Sequence, residues 1–234
     1  MLIEQAFFNL PEILVGAGYA EQDYEAGIVS AFSLAILQEL NGRNAANPIS
    51  YLKAEQRFLT ANEKLRADLH VRLARLYSGS KKYAKFGFRF SNWIEAKFFR
   101  PTKGTPPSTQ NLGAVVADLV RLVALVPIEE TRTDGRPTGL TFTGRFFLHI
   151  YLGDPLKHLN PNRKDNTVRG WVSKLLAPGA QTVDTFELDR ETKSFFDHLG
   201  LGLKTATCNM TMTNFVMKQQ PDAEVGYTLV LSRL

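Results

Sequence analysis

The sequence predicts an α/β fold with a β-hairpin near its C-terminal end. Three observations carry this prediction. Alternating apolar and polar residues indicate one strand over residues 65–77 and another over 86–99. Helical periodicity covers residues 22–40 and 111–126. The strongly apolar run at 144–152 is typical of a central strand.

Turn-forming residues separate the elements of the N-terminal half. An apolar segment opens the chain and ends near Gly16 and Gly18, and Asn41-Gly42 closes the first long helix in the manner of a C-cap. Residues 51–64 show a short helical pattern. The turn Ser78-Gly79-Ser80 reverses the chain between the two alternating strands, which are therefore expected to form a hairpin.

The C-terminal part is predicted to be an elaboration. A basic, loop-rich stretch over 155–180 includes a short helix, and residues 184–199 form a further helical pattern. Alternation over 203–217 and an apolar run at 225–231 predict the closing hairpin, with threonines along one face of its first strand. We expect one domain over residues 1–234, with a core at about 22–153 and an elaboration at about 154–234.

Composition favours a protein of the reducing cytoplasm. The single cysteine, Cys208, rules out a disulfide framework within one chain. The first fourteen residues are apolar but include Glu4 and Glu12 and no basic leader, which argues against a signal peptide. The longest apolar run is interrupted by Asp118 and Arg121, so it predicts an amphipathic or buried helix and no membrane span.

Positive charge is concentrated in one part of the chain. The formal net charge is +5, but between Lys64 and Lys103 there are eleven lysines and arginines and only two acids, Asp68 and Glu95. A basic stretch of this kind favours a polyanionic partner such as nucleic acid. The two acids therefore stand in the most basic region of the sequence.

The stretch Ser91 to Phe99 alternates as a strand does. Glu95 and Lys97 share one face, and Ile94, Ala96 and Phe98 form an apolar opposite face. A carboxylate and an ammonium group side by side can bind a metal ion and a water molecule. The alternative interpretation is an ordinary pair on an exposed strand.

The order of elements resembles the PD-(D/E)XK nuclease superfamily. The match covers about residues 22–153 and comprises a helix with Glu25, a strand with Asp68, a strand with Glu95-Ala96-Lys97, a helix and an apolar strand. Ala67 stands where the family name has proline. The resemblance implies a restriction-endonuclease-like core, in which a central mixed β-sheet is flanked by helices.

The resemblance also implies a reaction and its residues. Asp68, Glu95 and the carbonyl of Ala96 would bind Mg²⁺, with Mn²⁺ able to substitute, and Glu25 would be an outer-shell or second-metal ligand. Lys97 would orient or help deprotonate the attacking water. Catalytic roles are thus expected for Asp68, Glu95, Lys97 and Glu25.

Several basic and polar residues are candidates for contact with the nucleic-acid backbone. They are Lys81, Lys82, Lys85, Arg72, Arg89, Arg100 and His70. For the lysines the alternative is a solvated loop tip, and for His70 a polar group satisfied within the protein. For Asp68 the alternative is an ion pair with Arg66 or Arg72. For Glu25 the alternative is an acid that stabilises the start of a helix. Asp118 is expected to pair with Arg121, on a helix surface or between helices.

The function expected from this resemblance is Mg²⁺-dependent hydrolysis of DNA, as in a type II restriction enzyme or a phage-defence nuclease. Such an enzyme would act as a homodimer, because a duplex has two strands. A partner protein of a defence system is a further expectation. The alternatives are a non-catalytic nucleic-acid-binding subunit on the same fold and a protein-interaction module with a basic face.

Overall fold

The structure of the chain is a computed structural model. It describes residues 1–16, 24–58, 65–76, 89–100, 108–127, 129–131, 137–159, 170–183, 210–219 and 226–234. These residues form an α/β fold with a mixed β-sheet flanked by helices. The chain divides into two compact units, the first comprising residues 1–96 and 122–146 and the second comprising residues 97–121 and 147–234.

Two helices open the first unit. Helix α1 (Leu2–Gly16) presents an apolar side that includes Phe7, Leu10 and Leu14, all fully buried, and it packs against α2 (Glu25–Gly42). The predicted helix over 22–40 is thereby confirmed for the described residues. Burial of the apolar side chains of both helices supplies the hydrophobic free energy that holds them together.

The strands of the first unit follow in the order β1-β2-β3-β5 across the sheet. Their bounds are Leu52–Arg57 for β1, Arg66–Arg72 for β2, Ser91–Phe99 for β3, Glu129–Thr131 for β4 and Pro137–Leu152 for β5. Strand β4 pairs with β5 off the main path, and β3 and β5 each continue into the second unit. The predicted antiparallel pairing of the two alternating strands is confirmed, since β2 and β3 pair in this way.

The predicted helix at 51–64 is wrong for the described residues. A short 3₁₀ helix (Pro48–Tyr51) leads directly into β1, which pairs antiparallel with β2 from Leu52 opposite Val71 to Arg57 opposite Arg66. The residues of β1 are individually good helix formers, so cross-strand hydrogen bonds have overridden local propensity here.

The second unit contains three helices and the remaining strands among the described residues. They are α3 (Ser108–Leu125, in this unit up to Arg121), α4 (Pro155–Leu159), α5 (Gly170–Leu176), β6 (Gly179–Val183), β7 (Met210–Gln219) and β8 (Tyr227–Arg233). The sheet order from β5 onward is β5-β8-β7-β6. The predicted C-terminal hairpin is confirmed, because β7 and β8 pair antiparallel. The helix expected at 184–199 lies outside the described residues.

The structure corrects one prediction about an individual strand and confirms another. Strand β5 begins at Pro137, earlier than the apolar run at 144–152 indicated. On β7, Met210 and Met212 are buried while Thr211 is exposed, as the alternation predicted. In the part of the chain that the structure describes, no helix combines the length and apolarity that crossing a membrane would require.

Candidate functional site

The pairing of β2 with β3 brings the two predicted carboxylates to one place in the first unit. The regular pairing ends with Leu69 opposite Ile94, and Asp68 and Glu95 are the next residue of each strand beyond that pair. Residues directly opposite on antiparallel strands share a face of the sheet. Asp68 Oδ2 accepts a hydrogen bond from the backbone N–H of Ala96, with 2.7 Å between the nitrogen and the oxygen.

In the described part of the chain, Asp68 does not form the surface ion pair that was the alternative interpretation. Its side chain is half-buried, and among the described residues its carboxylate is held by the backbone of β3 and not by Arg66 or Arg72. A charge-assisted hydrogen bond of this kind fixes the carboxylate more firmly than a solvent-exposed ion pair would. Asp68 therefore stands beside the Glu95–Ala96 peptide.

Glu95 is buried, with 1% of its surface exposed. The alternative of an ordinary exposed strand pair is therefore wrong, because residues 91–96 of β3 are all buried and Lys97 is half-buried. Both faces of this strand are covered. Removing a carboxylate from water is costly unless positive charge or hydrogen-bond donors compensate, which is why buried carboxylates are candidates for functional sites.

Lys97 contacts a residue that the sequence did not associate with it. In the second unit its Nζ lies 3.2 Å from Oδ2 of Asp118 on α3. Arg121, one turn further along α3, donates a hydrogen bond to Oδ1 of the same carboxylate. The predicted pair of Asp118 with Arg121 is present, but a helix-surface location is wrong, since Asp118 is only 2% exposed.

His70 is a buried polar residue, 4% exposed, on the same face of β2 as Asp68. Its Nε2 lies 2.8 Å from Oγ of Ser91, and its ring lies 4.2 Å from the ring of Trp93, centre to centre. Burial, together with the positive charges of Arg72 and Lys53, lowers the pKa of His70 from 6.5 to about 4. The ring is therefore neutral near pH 7. The alternative of a satisfied polar group holds for Nε2 only, since Nδ1 is buried without a hydrogen-bond partner among the described residues.

Glu25 occupies the first turn of α2 and is half-buried. Within the described residues, no three His, Cys, Asp or Glu side chains are grouped so that they could hold a metal ion. Glu25 therefore does not complete a three-carboxylate cluster with Asp68 and Glu95. Its role as an outer ligand stays a prediction.

The candidate nucleic-acid contacts differ in exposure. Arg72 is exposed at the end of β2, and Arg89 and Arg100 are half-buried. Arg89 lies over the ring of Phe142, with 5.9 Å from Cζ to the ring centre. Lys81, Lys82 and Lys85 lie outside the described residues, so their contact with nucleic acid stays a prediction.

The contact of Asp118 with Lys97 was not predicted from the sequence. The signal available was its position in an otherwise apolar stretch of α3, where a carboxylate needs a partner. The identity of that partner depends on how α3 packs against β3, which spacing along the chain cannot give. The sequence therefore indicated that Asp118 was unusual without indicating what it contacts.

Comparison with known proteins gives no relative from which a role could be transferred. No protein-family model matches this chain, and neither a curated protein nor a solved structure matches it.

Proposed function

We propose that this chain is a metal-dependent nuclease with a restriction-endonuclease-like core, which hydrolyses phosphodiester bonds of DNA with Mg²⁺. The single observation that carries the proposal is the hydrogen bond between the Asp68 carboxylate and the backbone N–H of Ala96, beside the buried Glu95. Two carboxylates held at neighbouring positions of paired strands supply the negative charge that a divalent cation requires. The basic character of the surrounding sequence suits a polyanionic substrate.

The available donors fit Mg²⁺ in their chemistry. The carboxylates of Asp68 and Glu95 and the carbonyl of Ala96 are oxygen ligands, which Mg²⁺ and Mn²⁺ prefer. A carboxylate as buried as Glu95 also gains more from a nearby cation than an exposed one does. When bound, the ion stabilises negative charge on the phosphate and makes water more acidic.

The protein's own groups have distinct roles in this proposal. The Ala96 N–H fixes the Asp68 carboxylate, and the covered strand β3 fixes the backbone on either side of Glu95. Lys97 directly follows on the same strand and presents an ammonium group whose Nζ offsets negative charge developing on the phosphate. Groups that are fixed before substrate binds lower the reorganisation needed in the transition state.

The proposal is tested by a cleavage assay on supercoiled plasmid and on single-stranded DNA and RNA, with Mg²⁺ or Mn²⁺. Asp68→Asn and Glu95→Gln keep the size of each side chain but remove its charge, and we expect each to lower the cleavage rate by about 100-fold or more. Glu12→Gln changes an exposed acid of α1 and is the matched control, expected to cleave at the wild-type rate. Circular dichroism of each variant verifies folding.

Two results would overturn the proposal. The first is an absence of cation-dependent cleavage of any of these substrates by the wild-type protein, in a buffer where a known nuclease is active. The second is full activity of folded Glu95→Gln.

A second candidate is a non-catalytic nucleic-acid-binding subunit, favoured by the finding that no three His, Cys, Asp or Glu side chains of the described residues are grouped so that they could hold a metal ion. This candidate predicts retention of DNA that weakens steeply with salt, as counterion release requires. It also predicts affinity unchanged in Glu95→Gln and no cleavage. Filter binding over a salt series, run beside the cleavage assay, separates the two candidates.

The proposed assembly is a homodimer, since cutting a duplex requires one active site for each strand. A partner protein of a defence system is part of the same proposal. Sedimentation of the protein with and without duplex DNA tests the dimer, and a monomer in both conditions would contradict it.

A further inference from the structure

We infer that Asp118 is the positioning residue that holds the Lys97 ammonium group for the reaction, an inference that rests on the proposed nuclease function. The second unit contains the whole arrangement: Lys97 at the end of β3, and Asp118 and Arg121 on α3. Nζ of Lys97 lies 3.2 Å from Oδ2 of Asp118, within the range of an ion pair.

Each oxygen of the Asp118 carboxylate faces a different cation. Oδ2 faces Lys97, and Oδ1 accepts from the guanidinium of Arg121. A carboxylate engaged on both oxygens cannot rotate without giving up one of these interactions. The three charges sum to +1, so the group as a whole remains positive, as suits a site that meets a phosphate.

Burial distinguishes this group from an ordinary surface pair. The Asp118 side chain is 3% exposed and that of Lys97 is 21% exposed. A lysine side chain otherwise samples many rotamers, and ordering it has an entropic cost. Because the structure already restricts this side chain before substrate arrives, the ammonium group occupies a defined position for a reacting phosphate or water.

Stability alone is a weak reason for this arrangement. Apolar residues of similar volume stabilise a protein as well as or better than a buried ion pair does, because desolvation offsets the Coulomb attraction. A further reason is position, since the Asp118 carboxylate is one of the groups that hold the Lys97 ammonium group where it lies. Asp118 therefore acts through Lys97, and its own contact with metal or substrate is not required.

The first arm of the test measures kcat, KM and Mn²⁺ affinity of Asp118→Asn, Lys97→Met and the double variant. We expect Asp118→Asn to lower kcat by roughly 10- to 100-fold, as displacement of a reacting group by about 1 Å does, with KM and Mn²⁺ affinity unchanged. In the Lys97→Met background the same change should have no further effect on kcat. Asp154→Asn, an exposed acid of the same unit, is the matched control.

The second arm observes the Lys97 ammonium group by NMR and does not depend on catalytic activity. A lysine ammonium held in a mostly buried ion pair exchanges its protons more slowly than one in water and can give a ¹H–¹⁵N signal, assigned here as the signal absent in Lys97→Met. We expect this signal in the wild type and in Asp154→Asn, and its loss in Asp118→Asn. If Asp118→Asn fails to fold, Asp118→Glu displaces the carboxylate by one methylene and should change the signal and lower kcat.

The outcomes separate this inference from the proposed function. If the wild type cleaves nothing but the Lys97 signal depends on Asp118, the nuclease proposal fails and the inferred role in catalysis fails with it, while the placement of the lysine stands. If the wild type cleaves DNA and folded Asp118→Asn keeps both kcat and the Lys97 signal, the inference is overturned and the nuclease proposal stands. Additive losses in the double variant would also overturn it.

Discussion

The candidate site depends on polar side chains whose position on their strands could be predicted but whose burial could not. The alternation of β3 was enough to predict that Glu95 and Lys97 share a face, and the alternation of β2 with the turn after it was enough to predict that Asp68 belongs to the neighbouring strand. It was not enough to predict that Glu95 is buried or that Lys97 contacts Asp118, because burial depends on what covers each face of the sheet. The periodicity of a strand predicts on which face each side chain lies, whereas the burial of that face depends on tertiary packing.

His149, on β5, is a further buried histidine. Its Nδ1 lies 2.7 Å from the Tyr151 hydroxyl and its Nε2 lies 3.2 Å from the Ser232 hydroxyl. Complete burial lowers the pKa of His149 from 6.5 to about 3. Charging this ring in the folded protein is therefore unfavourable.

The pKa of His149 predicts a pH dependence of stability. Between about pH 6.5 and pH 3 the unfolded chain binds a proton at this residue and the folded protein does not, so the free energy of unfolding falls as the pH falls. The slope from one such group is at most about 1.4 kcal/mol per pH unit, and the group has no effect above its ordinary pKa. His70, whose pKa is also lowered, contributes in the same direction.

Urea unfolding of the wild type and His149→Gln across this pH range checks the prediction. Glutamine can still donate and accept a hydrogen bond but does not titrate, so we expect the slope to fall by about one proton. An unchanged slope in a folded variant would mean that His149 does not supply this dependence.

The elements differ in how well the sequence predicts them. The long helices and the β2–β3 and β7–β8 pairings could be predicted because their periodicity extends over many residues. Strand β1 could not, since Leu-Lys-Ala-Glu-Gln-Arg has no strand alternation and only its pairing with β2 defines it. Pairing of this kind is a long-range effect that a local pattern does not contain.

The junction of α5 with β7 depends on one side chain. Nδ2 of Asn214, a buried residue of β7, donates to the backbone carbonyls of Lys174, Leu175 and Ala177, at and just after the C-terminal end of α5. Carbonyls in the last turn of a helix have no hydrogen-bond partner within the helix. The Asn214 amide therefore supplies partners to carbonyl groups that would otherwise lack them.

Replacing Asn214 should therefore destabilise the second unit. We expect Asn214→Ala to lower the free energy of unfolding by about 1–3 kcal/mol, and Asn214→Asp by at least as much, since a carboxylate cannot donate and would face carbonyl oxygens. Thr211→Ala, an exposed change on the same strand, is the control and should have little effect. Equal stability of Asn214→Ala and wild type in chemical denaturation would contradict this account.

Across the whole molecule, charge and fold class follow from composition and pattern. The net charge of +5 and the basic stretch around Asp68 and Glu95 are properties of the sequence, and the α/β class with its mixed sheet agrees with the predicted order of elements. The division into two compact units was not predicted, because β3 and β5 each pass from one unit to the other without a linker to mark the boundary.

The central claim is that Asp68 and Glu95 bind a divalent cation. Calorimetric titration of the protein with Mn²⁺, in the absence of nucleic acid, tests it most directly. We expect saturable binding by the wild type and by Glu12→Gln, and an affinity at least about tenfold weaker in both Asp68→Asn and Glu95→Gln. Mn²⁺ binding of equal affinity in the wild type and folded Glu95→Gln, or no binding by the wild type, would contradict the claim.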